Sequence, residues 1–262
     1  MNPRERVNPR ERITGVIRAV AARGEPALIA YLTAGFPSRA RFRDHLRALA
    51  AASDVVEVGV PFTDPMADGV TIQRASLAAL AQGVSLAWIL EEIAALGAIG
   101  APLLLMSYLN PLLSFGMGRL AEEAVRAGVS GFIVPDLPLD ESSEFRSALE
   151  ESQLALVQMV TPVTGPQRLA QLCTGSHGFV YAVTMTGTTG RNVAVPAGVL
   201  DYLDRVRTAS QLPVCAGFGI RSREQVERLR AHVDGVVVGS ALVEVLERGE
   251  DPGQFLRALR SG

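Results

Sequence analysis

The chain has 262 residues, 48% of them hydrophobic, and a formal net charge of −2; this length suits one sizeable core, and an α/β barrel more than two separate domains. With no basic stripe to neutralise a phosphate backbone, nucleic acid is excluded as the expected partner. No apolar run approaches the ~20 residues of a bilayer span, and no apolar core follows the Arg-bearing start as in a signal peptide, so the expected protein is cytoplasmic and not bound to a membrane.

The first stretch repeats NPRER at residues 2 and 8 and reads as a polar leader over 1–12, with a mis-assigned start or the frayed front of a first helix as the alternatives, ahead of one catalytic barrel domain over 13–262. From there, short β-branched runs alternate with amphipathic helical patterns, the mark of βα units and a parallel sheet. The expected strands are ALIAYL (27–32), VVEVGV (55–60), PLLLMSY (102–108), GFIVP (131–135), LALVQMV (154–160), GFVYAV (178–183), LPVCAG (212–217) and GVVVGS (235–240). Helical stretches such as SRARFRDHLRALAAA, SLAWILEEIAALGA, MGRLAEEAVRAG and SREQVERLRAH lie between them, several opened by Ser and closed by Gly. Eight βα units in one domain predict a closed (β/α)8 TIM barrel, whose active site lies at the C-terminal ends of the strands.

In VVEVGV, Val56, Val58 and Val60 share one side of the strand, and Val55, Glu57 and Gly59 the other. The all-valine side suits packing against helices, which points Glu57 into the barrel near its mouth. Burial there raises a carboxyl pKa and makes a proton donor available near neutral pH. No arginine lies on any of the eight strands to pair with it. Asp68 follows in FTDPMADG, in a loop stiffened by Pro61 and Pro65. Its residues alone leave two readings open: a positioned catalytic group, or a cap for a helix starting near Val70.

Two Gly-bearing segments, AGFGIRS after the seventh strand and GSAL after the eighth, stand where this barrel places its recurrent phosphate site. Glycines admit an anion to backbone N–H groups, and a helix N-terminus favours its charge without lysine. Gly219, Gly239 and Ser240, with Gly190 from TGTTG, are the expected phosphate contacts. VTMTGTTGRN (183–192) reads as a lid over the mouth, and Tyr181 brings a buried hydroxyl that needs a partner or a substrate. YLNPLLSFGM (108–117) reads as a loop that carries Leu112, Leu113 and Phe115 at the same face, either exposed as a docking surface for a partner or folded back onto its own barrel.

Lysine is absent, so all 25 Lys+Arg residues are arginine, and Schiff-base or covalent pyridoxal phosphate chemistry in this chain is excluded. Cys173 and Cys215 lie outside any metal-ligand spacing and read as buried, reduced thiols. His45 falls in a helix, and His177 and His232 precede strands at the far end of the barrel, so no metal site is expected.

Taken in order and spacing, LTAGFP, VEVGVPFTDPMADGVTIQ, PDLP, TGTTG, AGFGI and VVVGSAL closely resemble the tryptophan synthase alpha subunit family, from about residue 13 to the C-terminus. Val70 departs from the proline usual in the family's DGPTIQ, and Thr63 from its common serine. The resemblance implies cleavage of indole-3-glycerol phosphate to indole and glyceraldehyde 3-phosphate. It also implies transfer of indole to a beta subunit within a heterotetramer of two alpha and two beta chains, with pyridoxal phosphate in the beta subunit and no cofactor in this chain. By position, Glu57 matches the family's catalytic acid/base and Asp68 the carboxylate on the indole nitrogen. Tyr31, Tyr108 and Ile133 match the indole pocket, Tyr181 the tyrosine near the glycerol chain, and Thr189 the lid threonine. Gly190, Gly219, Gly239 and Ser240 match phosphate-binding positions.

Overall fold

The computed structural model describes residues 8–184, 198–217 and 219–260. Eight parallel strands close in sequence order into one barrel. They are β1 (Ala27–Thr33), β2 (Val55–Gly59), β3 (Leu103–Met106), β4 (Gly131–Ile133), β5 (Ala155–Val160), β6 (Val180–Val183), β7 (Val214–Gly217) and β8 (Gly235–Val238). Each lies within one of the runs picked out by its β-branched content, or overruns it by one residue.

The helices are α1 (Pro9–Ala21), α2 (Phe42–Ala52), α3 (Val70–Ala81), α4 (Leu86–Leu96), α5 (Leu109–Phe115) and α6 (Met117–Ala127), then α7 (Ser143–Glu150), α8 (Pro166–Gly175), α9 (Val199–Ala209), α10 (Arg223–Leu229), α11 (Ser240–Glu247) and α12 (Pro252–Leu259). Ser85 caps α4 by accepting from the Trp88 N–H, and Ser222 and Gln225 form a reciprocal capping box on α10. Gly128 ends α6 in the left-handed conformation at φ +84°, which an L side chain adopts only under strain.

Strand alternation sorts the core into two layers. Val56, Val58 and Val60 pack outward in one cluster with Leu46 and Leu49 of α2, Ile89 of α4 and Leu120 of α6. Val55, Leu104, Val157, Phe179 and Cys215 face inward, in a second cluster. That inner cluster also takes Ile13, Ile17 and Val20 from α1, so the first helix plugs the N-terminal end of the barrel. Both cysteines are free and buried.

The expected leader boundary after residue 12 therefore falls inside α1. Asn8 caps that helix by accepting from the Arg10 N–H, with Pro9 in its first turn; the second NPRER is a helix start, legible from Asn followed by Pro. Arginines secure the same end of the barrel through backbone carbonyls of the loops that enter the strands: Arg12 donates to Gly100 at 2.5 Å, Arg18 to Gln211 at 2.6 Å, Arg10 to Leu154 at 3.1 Å, Arg207 to Ala231 at 2.7 Å, and Arg230 to Gly24. Among the described residues, no single helix is long and apolar enough to cross a membrane.

A second correction concerns 108–117. Residues Leu109–Phe115 form the short helix α5, not a loop. Leu112 is fully buried against the barrel, while Leu113 remains 51% exposed. The apolar surface expected there is thus narrower than the sequence suggests, because one turn of helix sends Leu112 inward.

Candidate active site

One cavity of about 380 Å³ opens at the C-terminal ends of the strands. Its walls bring together Glu57, Asp68, Tyr31, Tyr181, Gly219, Gly239 and Ser240, seven of the residues singled out from sequence. The structure places two others outside its wall. Ile133 lies in the inner cluster, and Tyr108 stands behind Asp68. Thr189 and Gly190, with most of the expected lid, lie outside the described residues.

Glu57 is centred on β2, in register with Tyr31 of β1 and Leu104 of β3. It is completely buried, and among the described residues neither carboxyl oxygen has a hydrogen-bond partner. Burial pushes its pKa up to about 8, so at neutral pH it carries a proton and faces the cavity with it. A buried polar group left without a partner costs on the order of 1–3 kcal/mol. A buried polar group left so in a native fold calls for a reason, and a catalytic role is one.

Asp68 comes to the same cavity on the loop between β2 and α3. The helix-cap alternative fails here: Gly69 occupies the N-cap of α3, and no side chain caps that helix. The Asp68 backbone is instead tied on both sides, its N–H donating to Pro65 O at 3.0 Å and its carbonyl accepting from Gln73 Nε2 at 2.8 Å. Burial raises the carboxyl to about 6, opposed by a hydrogen bond from Tyr108. Two carboxyl groups thus share one cavity, one protonated and one mostly ionised at pH 7.

The tyrosines occupy space that glycines leave. A Cβ at Gly59 would overlap the Tyr31 ring, and a Cβ at Gly217 the Tyr181 ring. Burial, then the charges of Glu57 and Asp68, raise the Tyr181 phenol well above its ordinary value; it remains a neutral donor. Tyr31 is raised by burial and by Asp68 in the same way, and its hydroxyl lies 3.2 Å from that of Thr33. Gly217→Ala is expected to destabilise the fold by about 1–3 kcal/mol through overpacking and to displace Tyr181. Thermal denaturation checks it, and an unchanged Tm would show that the ring has room to move.

At the other end of the cavity, Gly239 is the N-cap residue of α11 and Ser240 its first residue, with no side chain capping the turn. Gly219 adopts φ +25° in the neighbouring loop. Arg221, two residues on, grips Glu244 of α11 with both terminal guanidinium nitrogens, at 2.7 and 2.9 Å, and so ties the loop after β7 to α11. The arrangement offers an anion backbone N–H groups and a helix dipole. Sequence reasoning missed Met106, Met159 and Val237, which line the cavity as apolar wall together with Val183, the first residue of the expected lid stretch. The signal was present in strand alternation, since each sits at or near the C-terminal end of its strand.

The family model for the tryptophan synthase alpha chain matches residues 17–260. The tryptophan synthase alpha chain of Nitratidesulfovibrio vulgaris is 46% identical over 244 residues, covering 92% of this chain and 95% of the relative. That of Carboxydothermus hydrogenoformans is 44% identical over 238 residues, 90% of this chain and 89% of the relative. Among solved structures, tryptophan synthase from M. tuberculosis in its aminoacrylate-bound form superposes with a TM-score of 0.85 at 35% identity, covering 95% of this chain and 99% of that one. With the closed eight-stranded barrel, a buried glutamate at its mouth and matches that run nearly end to end, the chain belongs to the tryptophan synthase alpha chain family.

Proposed function

We propose that the chain cleaves indole-3-glycerol phosphate to indole and glyceraldehyde 3-phosphate by acid/base catalysis, and passes indole to a beta subunit. The observation that carries this reading is Glu57, a fully buried carboxyl without a partner among the described residues, raised to about 8 and facing the same cavity as Asp68.

Glu57 donates its proton to indole C3, which takes the ring out of aromaticity and leaves positive charge on the ring nitrogen. Asp68, ionised, accepts a hydrogen bond from that N–H and stabilises the charge. A base, for which the newly ionised Glu57 is in place, takes the proton of the hydroxyl next to the scissile carbon. The C–C bond then breaks, its electrons restore the indole ring, and the hydroxyl carbon becomes the aldehyde. The phosphate rests at Gly219, Gly239 and Ser240; by the family resemblance Gly190 joins them and Thr189 is the lid threonine, both outside the described residues. Tyr31 and Tyr181 bound the substrate between the two ends, with Met106 and Met159 as apolar wall, and Ile133 supports the indole pocket from the layer beneath.

The beta subunit carries the pyridoxal phosphate, this chain carries no cofactor, and two copies of each chain form the assembly, in the cytoplasm. Leu113 of α5, with Met66 at 93% exposure and Val70 at 62% on the loop and helix that carry Asp68, supplies an apolar docking face around the mouth.

Feeding indole-3-glycerol phosphate and following indole by absorbance tests the reaction. Indole release that rises when a beta subunit is added is the expected result. Turnover of other phosphosugars with none of this substrate would assign the barrel to a different phosphosugar lyase or isomerase.

A further inference from the structure

Tyr108 stands where the family resemblance puts a wall of the indole pocket, yet it does not line the cavity. It is the N-cap residue of α5, 7% exposed, and its ring stacks on Phe62 with centroids 5.2 Å apart. Its hydroxyl accepts from the Ala67 N–H at 2.9 Å and donates to Asp68 Oδ2 at 3.3 Å. Two loops of different origin, one after β2 and one after β3, therefore meet at a single phenol.

We propose that Tyr108 is the positioning residue for Asp68: its hydroxyl fixes the rotamer of the carboxylate and leaves the other oxygen, Oδ1, directed at the substrate. The backbone of Asp68 is already held through Pro65 and Gln73, so the side-chain torsions are the freedom that remains, and the phenol removes it. Tyr108 is anchored in turn, because the next N–H along the chain, that of Leu109, donates to Asp136 Oδ1 at 2.9 Å. The loops after β2, β3 and β4 thus form one chain of contacts ending on the carboxylate. Glu57, Tyr31 and Tyr181 are the other titratable groups of the cavity, and both tyrosines feel the Asp68 charge. Among Tyr31, Tyr108 and Tyr181, Tyr108 is the one whose hydroxyl is bonded to the carboxylate. The assignment rests on Asp68 acting as acceptor for the indole N–H, as proposed above.

The test is Tyr108→Phe, which keeps the ring and its stacking and removes only the hydroxyl. Misplacing a reacting group by about 1 Å can cost on the order of 100-fold in rate, so kcat for indole release is expected to fall about 10- to 100-fold while KM stays within about threefold. Without the donor, the acid limb of the pH profile moves to higher pH. A raised KM with unchanged kcat and pH limb would make Tyr108 a pocket wall and overturn the proposal. In an Asp68→Asn background, Tyr108→Phe is expected to add little further loss in kcat, because the two residues act as a unit; full additivity would also overturn it. The Asp68 carboxyl followed by carbon-13 chemical shift gives a readout that needs no turnover. A titration unmoved by Tyr108→Phe refutes the contact even if the chain acts on some other substrate, whereas absent indole release from the unaltered chain refutes only the reaction.

Discussion

Glu57→Gln is expected to lower the rate of indole release by about 10²- to 10⁴-fold, the usual contribution of a general acid/base group, and to make the protein more stable at alkaline pH. Both effects follow from one placement. The carboxyl is fully buried without a partner among the described residues, and its pKa is raised from 4.5 to about 8. Between those two values the folded protein binds a proton that the unfolded chain has released, so folding stability falls as pH rises through the window and the whole penalty is present above it. Glutamine keeps the shape and has no proton to lose. Its Tm advantage should be absent near pH 4.5, grow through neutrality and level off above pH 8. Calorimetric melts at pH 5 and pH 9 check this: equal differences at both would mean that Glu57 is ionised in the folded protein and cannot be the proton donor. Loss of activity joined to a gain in stability would mark a group held in place at the expense of the fold.

The second large effect concerns Asp68. The proposed chemistry needs Asp68 ionised and Glu57 protonated, and their pKa values of about 6 and about 8 leave a window between them in which both conditions hold. A plot of kcat/KM against pH should therefore be bell-shaped, with its maximum near neutrality, an acid limb from Asp68 and an alkaline limb from Glu57. Asp68→Asn removes the charge that balances the indole cation, so kcat is expected to drop by about 10²-fold or more. The acid limb should vanish with it, and the alkaline limb should remain. Indole release measured from pH 5 to pH 10 decides the matter; an acid limb that survives in the variant would belong to some other group.

The barrel was legible because β-branched runs and amphipathic stretches keep different periods, and eight repeats of that contrast leave few alternatives. Glu57 was legible for the same reason, since alternation within one strand is enough to turn it inward. Asp68 was not, because Asp before Gly reads equally well as a helix cap; the outcome depended on Gly69 taking the cap position, which local sequence does not dictate. Leu112 was misjudged because helical phase within seven residues is too short a signal to separate a buried face from an exposed one. The role of Gly217 lay beyond sequence reasoning altogether. Its lack of a side chain has meaning only beside the Tyr181 ring on the adjacent strand, and that neighbour is set by barrel register. The Tyr108 hydroxyl belongs to the same class, as a contact between two loops whose meeting point only the closed barrel defines.

The plug formed by α1 has a kinetic consequence. With Ile13, Ile17 and Val20 filling the far end, each no more than 3% exposed, the described residues close the barrel there and leave its mouth at the other end. Substrate and both products pass through that mouth. Whatever settles on the rim therefore controls entry and release together, so that a docked partner that receives indole also sets when the aldehyde leaves and the next substrate enters.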